Sequence, residues 1–214
     1  MAAQRELHDF FFKEAKRNGY RSRAAYKLME IDDKKHILSK GDVVLDLGCA
    51  PGSWLQVIAK RVGPNGKVIG VDMKSIDQTN LPENVTTMQE DVTTLSPETF
   101  GGELFHAILS DMAPNTTGTR TIDHHGSVNL CSTALDLATT LLKPHGNLVM
   151  KVLEGEAYPE LLERCDQMFE HSKGFKPKAS RAISTEMFVV CIDRFEEILP
   201  TIELAPPPPT SGWN

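Results

Sequence analysis

From residue 41 onward the chain alternates short apolar runs with amphipathic stretches, and that rhythm restricts it to one class of architecture. Residues 43–47 (VVLDL), 67–72 (KVIGVD), 85–89, 105–110 (FHAILS) and 147–153 (NLVMKVL) read as strands. Residues 53–62, closed by Gly63-Pro64, and residues 127–142 read as helices. A further helix is predicted over 161–169, where Leu161, Leu162, Cys165, Met168 and Phe169 keep the helical period. The basic stretch 173–181 and the run 187–192 (MFVVCI) are predicted to form a final strand pair. Ahead of the alternation lie two short helical patterns, one over 9–17 and one after Ser22, which reads as an N-cap. Alternating strands and helices imply right-handed crossovers and a mostly parallel sheet covered on both faces. Such sheets bind ligands at the carboxyl ends of their strands, so functional polar residues should directly follow the apolar runs.

The motif Asp46-Leu47-Gly48-Cys49-Ala50-Pro51-Gly52-Ser53-Trp54 meets that test: an acid near the strand end, then a glycine-flanked turn into a helix. Glycine permits close approach of the backbone, and an open helix N-terminus offers N–H groups to an anionic group. The pattern is not G-x-G-x-x-G, and the missing third glycine argues against a dinucleotide and a nicotinamide-dependent dehydrogenase. S-adenosylmethionine, which presents only an amino-acid end to such a loop, fits better. Asp72, ending the second strand, could accept hydrogen bonds from two ribose hydroxyls, and Asp91, after the third, could accept from an adenine amino group.

Asp111 follows the fourth strand within SDMAPN, which lacks the stacked prolines and aromatic of an N-P-P-Y amino-group methyltransferase and the nucleophilic cysteine of a cytosine-C5 enzyme. A hydroxyl acceptor remains. Lys151 interrupts the apolar run 148–153, which is costly in a covered strand unless the lysine is paired or emerges at the active edge. Glu186, before MFVVCI, and Lys27, in YRSRAAYKL, gain meaning only if they converge with it. No metal is expected, because His124-His125 lacks the i, i+4 spacing of a zinc helix; both histidines read as loop residues.

The net charge of −6 argues against a nucleic-acid partner only as an average. Residues 1–27 carry +4 and residues 173–181 another +4, leaving −14 for the remainder. Arg21, Arg23, Lys173, Lys176, Lys178 and Arg181 are therefore candidate contacts for an anionic partner, which the family resemblance given below implies to be RNA. The four cysteines, Cys49, Cys131, Cys165 and Cys191, have no C-x-x-C spacing and read as reduced, buried thiols of a cytoplasmic protein. There is no secretory signal pattern at the N-terminus, and no apolar run long enough to span a bilayer. The organisation expected is a basic helical segment over 1–40, an α/β domain over 41–195 and a disordered proline-rich tail over 196–214; the resemblance given below implies RNA docking for the first and catalysis for the second.

The order Lys27, Asp111, Lys151, Glu186 resembles the K-D-K-E tetrad of the FtsJ/RrmJ (RlmE) ribosomal RNA 2′-O-methyltransferases. The surrounding segments YRSRAAYKL, DLGCAPGSW, SDMAPN, VMKVLEGE and SRAISTEMFVV are also similar to theirs, over roughly residues 8–193. One departure is Ser53, where bacterial members usually have glycine. The resemblance implies an α/β, Rossmann-like methyltransferase with a mostly parallel seven-stranded sheet and S-adenosylmethionine as donor. It implies Gly48, Gly52, Trp54, Asp72, Asp91 and Asp111 as cofactor contacts. Lys151 would be the principal catalytic residue, with Lys27 and Asp111 completing the core and Glu186 assisting. The implied substrate is a ribose of large-subunit ribosomal RNA, with uridine the expected nucleotide, and the implied form is a monomer. A transfer-RNA anticodon-loop enzyme and a catalytically idle assembly factor are the competing readings.

Overall fold

The computed structural model describes residues 2–180 and 184–197. Seven strands form one sheet: β1 (Val43–Leu47), β2 (Lys67–Asp72), β3 (Val85–Gln89), β4 (Phe105–Ser110), β5 (Leu142–Leu153), β6 (Phe169–Phe175) and β7 (Glu186–Arg194). Their order is β3-β2-β1-β4-β5-β7-β6, with the pairs from β3 to β5 parallel and β7 antiparallel to both neighbours. The order reverses between β1 and β4, the crevice where open α/β sheets bind ligands. An antiparallel strand begins at the end where its parallel neighbours finish. This is why β7 delivers its first residue, Glu186, to the carboxyl edge beside β5.

Helices α2 (Ala24–Lys35), α3 (Ser53–Val62), α4 (Arg120–Leu141) and α5 (Tyr158–Asp166) flank the sheet, and α1 (Ala2–Arg17) packs on α2 through Phe11 and Tyr26. One core layer joins Leu28 and Ile31 of α2 and Leu55 and Ile58 of α3 to Val44, Val68, Val149 and Phe188 of the sheet. The other joins Leu135 and Leu141 of α4 and Leu161 and Cys165 of α5 to Leu45, Ile108, Met150 and Val189. The alternation of Val149 and Met150 between the two layers is the two-residue period of a strand covered on both sides. Helix α2, within the segment before residue 40, contributes Leu28 and Ile31 to this core.

Several expectations change. The helix predicted over 161–169 ends at Asp166, and Phe169 starts β6, its ring 1% exposed. Met168 and Phe169 fit a helix face by period, but the chain turns at Gln167 and uses Phe169 as an inward strand residue. The basic stretch does not supply a strand beyond Phe175: Pro177 cannot donate to a ladder, and the chain leaves the sheet there. Helix α4 begins seven residues before Ser127, which places His124 and His125 on a helix rather than in a loop. Strand β5 starts at Leu142, earlier than residue 147, through an irregular register opposite Phe105 and Ala107. Ser22 does not occupy the N-cap of α2, but its hydroxyl accepts from the Ala24 N–H at 3.1 Å. Residues 198–214 of the proline-rich tail lie outside the described residues.

Candidate active site

The turn after β1 is shaped by two glycines with positive φ, Gly48 at 72° and Gly52 at 100°. A Cβ on Gly48 would lie 2.6 Å from Met112 Cγ, so SDMAPN packs directly on this turn. Asp72 supports the turn from β2, its Oδ2 accepting from the Ala50 N–H at 2.9 Å and its Oδ1 from the Lys74 N–H at 2.8 Å. Each oxygen keeps a second lone pair for a hydroxyl donor. Asp91 caps a short 3-10 turn, its Oδ1 accepting from the backbone N–H of Thr93 at 2.9 Å and from its hydroxyl at 2.8 Å. Those bonds, the backbone one foremost, hold its carboxyl below the usual aspartate range.

Asp46 was legible as an acid at the strand end, but sequence alone gave it no role. It is fully buried, and neither side-chain oxygen has a hydrogen-bond partner among the described residues. Burial, with further repulsion from Asp111 and Asp72, pushes its carboxyl well above the usual range. A cluster of three carboxylates with one orphaned member suits a ligand carrying positive charge, as the ammonium and sulfonium of S-adenosylmethionine do. Asp46 retains its proton in the folded chain to a higher pH than in the unfolded one, so its ionisation destabilises the fold as pH rises from about 4 towards neutrality, by up to about 1.4 kcal/mol per unit. Asp46→Asn is therefore expected to raise the melting temperature of the ligand-free protein at pH 7.5 far more than at pH 4.5, while weakening cofactor binding in calorimetry. An equal gain at both pH values would refute this.

Two residues expected to touch ligands also make contacts within the protein. Trp54 is 2% exposed, packs against Phe188 and donates its indole N–H to the Ala24 carbonyl at 2.9 Å. Its ring anchors α3 to α2, which leaves the backbone N–H in the first turn of α3 as its route to a ligand. Arg21 donates to the Pro51 carbonyl at 2.9 Å and to the Thr79 carbonyl at 2.7 Å, clasping the cofactor turn to the loop after β2. Arg21→Met is expected to weaken S-adenosylmethionine binding by up to about a hundredfold, each of the two lost charged hydrogen bonds being worth about 1.5 kcal/mol, with RNA affinity changed less. Titrations of both ligands check this, and the reverse pattern would favour the expected RNA contact for Arg21.

The tetrad converges. Lys151 lies on β5 opposite Phe188 of β7, and Lys27 in the first turn of α2 places its Nζ 5.8 Å from the centroid of that ring. Lys151 Nζ donates to Asp111 Oδ1 at 2.8 Å and also to the Asp111 carbonyl. Lys27 Nζ pairs with Glu186 Oε1 at 2.6 Å, and the Ser180 hydroxyl donates to the same oxygen at 2.8 Å. Side-chain exposures of 9–21% set all four at the edge of the core. Burial is the largest single influence on Glu186 and pushes its carboxyl up. The Lys27 charge, the two hydrogen bonds and the nearby Lys151 charge together outweigh it and hold the carboxyl below the usual range. Ser180 opens the segment SRAISTEMFVV, but sequence assigned it no role.

Of the basic candidates, Lys173, Lys176 and Lys178 are exposed, and Arg23 is half-buried. Lys176 Nζ donates to the Ser184 carbonyl at 2.8 Å, and the Lys178 N–H donates to Glu30 of α2 at 2.7 Å, tying this stretch to the helix that carries Lys27. Arg181 lies outside the described residues.

The sequence model of the FtsJ-like methyltransferase family matches residues 20–194, a span that holds the glycine turn and all four clustered residues. The chain belongs to this family. This FtsJ-like methyltransferase is 41% identical over 194 residues to the Ribosomal RNA large subunit methyltransferase E of Desulfosudis oleivorans, covering 90% of this chain and 93% of that one. It is 46% identical over 189 residues to the protein of the same name from Nitratidesulfovibrio vulgaris (strain Miyazaki F), covering 86% and 93%. A Plasmodium falciparum crystal structure assigned to the ribosomal RNA methyltransferases superposes with a TM-score of 0.73 at 31% identity, covering 82% of this chain and 99% of that one. Fibrillarin of Aeropyrum pernix, at 15% identity and a TM-score of 0.55 over 79% of this chain and 73% of its own, shares the fold.

Proposed function

We propose that this FtsJ-like methyltransferase methylates the 2′-hydroxyl of a ribose, a uridine being expected, in large-subunit ribosomal RNA. The observation that carries the reading is the Lys151 ammonium site held on Asp111 at the carboxyl edge, beside a buried Lys27–Glu186 pair. Bound at the glycine turn, S-adenosylmethionine supplies an electrophilic methyl group. Asp46, Asp72 and Asp91 would hold its ammonium, ribose and adenine ends, and the first-turn N–H groups of α3 its carboxylate.

A ribose hydroxyl is a weak nucleophile, so its proton must leave as it attacks. Lys151 in its neutral form has two N–H groups and one lone pair. The two contacts to Asp111 engage both N–H groups, which aims the lone pair at the substrate to receive the 2′-hydroxyl proton. Lys27, its charge balanced by Glu186, would stand near the phosphate of the target nucleotide, and the exposed Lys173, Lys176 and Lys178 would dock flanking RNA.

The names of the relatives favour ribosomal RNA over a transfer-RNA anticodon loop, and the retained tetrad disfavours an idle assembly factor. A monomer acting on ribosomal particles in the cytoplasm is the corresponding setting. Among the described residues, no helix is long and apolar enough to cross a membrane. Transfer of labelled methyl groups to purified large subunits but not to transfer RNA, together with a mapped 2′-O-methyl group lost from a strain lacking the protein, is the expected result. Labelling of transfer RNA alone would reject the ribosomal assignment.

A further inference from the structure

Strand β4 pairs with β5 only as far as Ser110 opposite Met150, so Lys151 lies past its last partner on that side. Backbone groups left unpaired in a buried place are costly, and side chains of α4 take the place of the missing strand. The Cys131 thiol donates to the Lys151 carbonyl at 3.1 Å. The Ser127 hydroxyl accepts from the Leu153 N–H at 3.0 Å while donating to its own helix at the His124 carbonyl, at 2.7 Å. His124 receives the Ala157 N–H on Nε2 at 3.0 Å, which assigns the proton to Nδ1, and this donates to the Leu153 carbonyl at 2.6 Å. All three side chains are at most 2% exposed. The turn that follows is fitted to the same ring, since a Cβ on Gly155 would collide with the His124 imidazole.

We propose that His124, Ser127 and Cys131 are positioning residues that fix the final turn of β5, and with it the reach of Lys151 to Asp111. Their spacing of three and then four residues sets them on one face of α4, so a single helix reads three backbone groups of the strand in register. Their contacts described above run to the backbone of β5 and the turn after it, not to the side chains of Lys27, Asp111, Lys151 or Glu186. Loosening them would let the Lys151 backbone drift while the cofactor turn, built on β1 and β2, stays in place. The inference rests on the proposed role of Lys151.

The test compares Ser127→Ala, Cys131→Ala and Cys131→Ser with the parent protein on the same RNA. Ser127→Ala is expected to lower kcat about ten- to a hundredfold, the scale of a sub-ångström to one-ångström misplacement, with KM for RNA and Kd for S-adenosylmethionine unchanged. Cys131→Ala should show a smaller loss in kcat alone, and Cys131→Ser, which keeps a donor, should restore it. If folded Ser127→Ala keeps kcat within twofold, or if kcat and cofactor affinity fall together, the proposal is overturned. Should Ser127→Ala fail to fold, the two Cys131 variants decide, equal activity in both rejecting it. An inactive parent would instead reject the proposed reaction.

Discussion

Lys151→Ala is expected to abolish methyl transfer while leaving S-adenosylmethionine affinity within a few-fold of the parent. A positioned general base contributes about 10²- to 10⁴-fold. The cofactor turn should survive, because its contacts run through Asp72, Arg21 and Gly48 and none of them touches Lys151. Lys151→Arg separates two roles of the residue. It keeps a cation on Asp111 but has no accessible neutral form, so it should bind both ligands and remain inactive. Single-turnover transfer from labelled S-adenosylmethionine, with calorimetry on the same samples, reads both quantities. Turnover of either variant near the parent rate would remove Lys151 from the chemistry.

The second large effect concerns the Lys27–Glu186 pair. Lys27→Met leaves the Glu186 carboxylate at the core edge with the Ser180 hydroxyl as its one remaining contact of the two described above. Breaking a pair this buried costs about 3 kcal/mol, and a chain of this size loses about 2–4 °C in Tm per kcal/mol. In the parent, the folded-state pKa of Glu186 is depressed. Its contribution is therefore present above the unfolded glutamate value, about 4.3, and is lost as pH falls through the lower folded value. Without Lys27 the two largest influences that lower this carboxyl are lost, so the Tm gap between parent and Lys27→Met should be widest near neutral pH and close below pH about 4. The double variant Lys27→Met, Glu186→Gln should recover most of the loss. A gap independent of pH would mean that Lys27 acts through packing on Phe188 rather than through charge.

The strand-end acids made the ligand side of this fold legible. Asp46, Asp72, Asp91 and Asp111 each follow or close an apolar run, and a parallel sheet gathers such positions at one edge whatever the details of packing. Lys151 was legible for the opposite reason, as a charge inside a run that a covered strand does not tolerate unpaired. What sequence did not carry was the partner of each group. Arg21 looks like a surface cation until the Pro51 and Thr79 carbonyls are seen to hold it, and these are distant in the chain. His124 looks like half of a loop pair because the His, Thr and Gly residues around it are weak helix formers, yet tertiary bonds to β5 and the following turn extend α4 through it. Phe169 was misread because one apolar residue after a turn satisfies both the helical and the strand period.

The placement of β7 between β5 and β6 also dictates a timetable. β6 is made before β7 yet pairs with it alone among the described strands, so it has no place in the sheet until the later strand has inserted. During synthesis the five parallel strands and the cofactor turn can assemble as soon as they emerge, since domains form largely from the N-terminal side. Glu186 arrives last, and only then does Lys27, made near the beginning, acquire its counter-charge. A nascent chain halted before residue 186 would hold a site for its cofactor and no completed catalytic centre, so ligand binding should precede competence for methyl transfer in the life of each molecule.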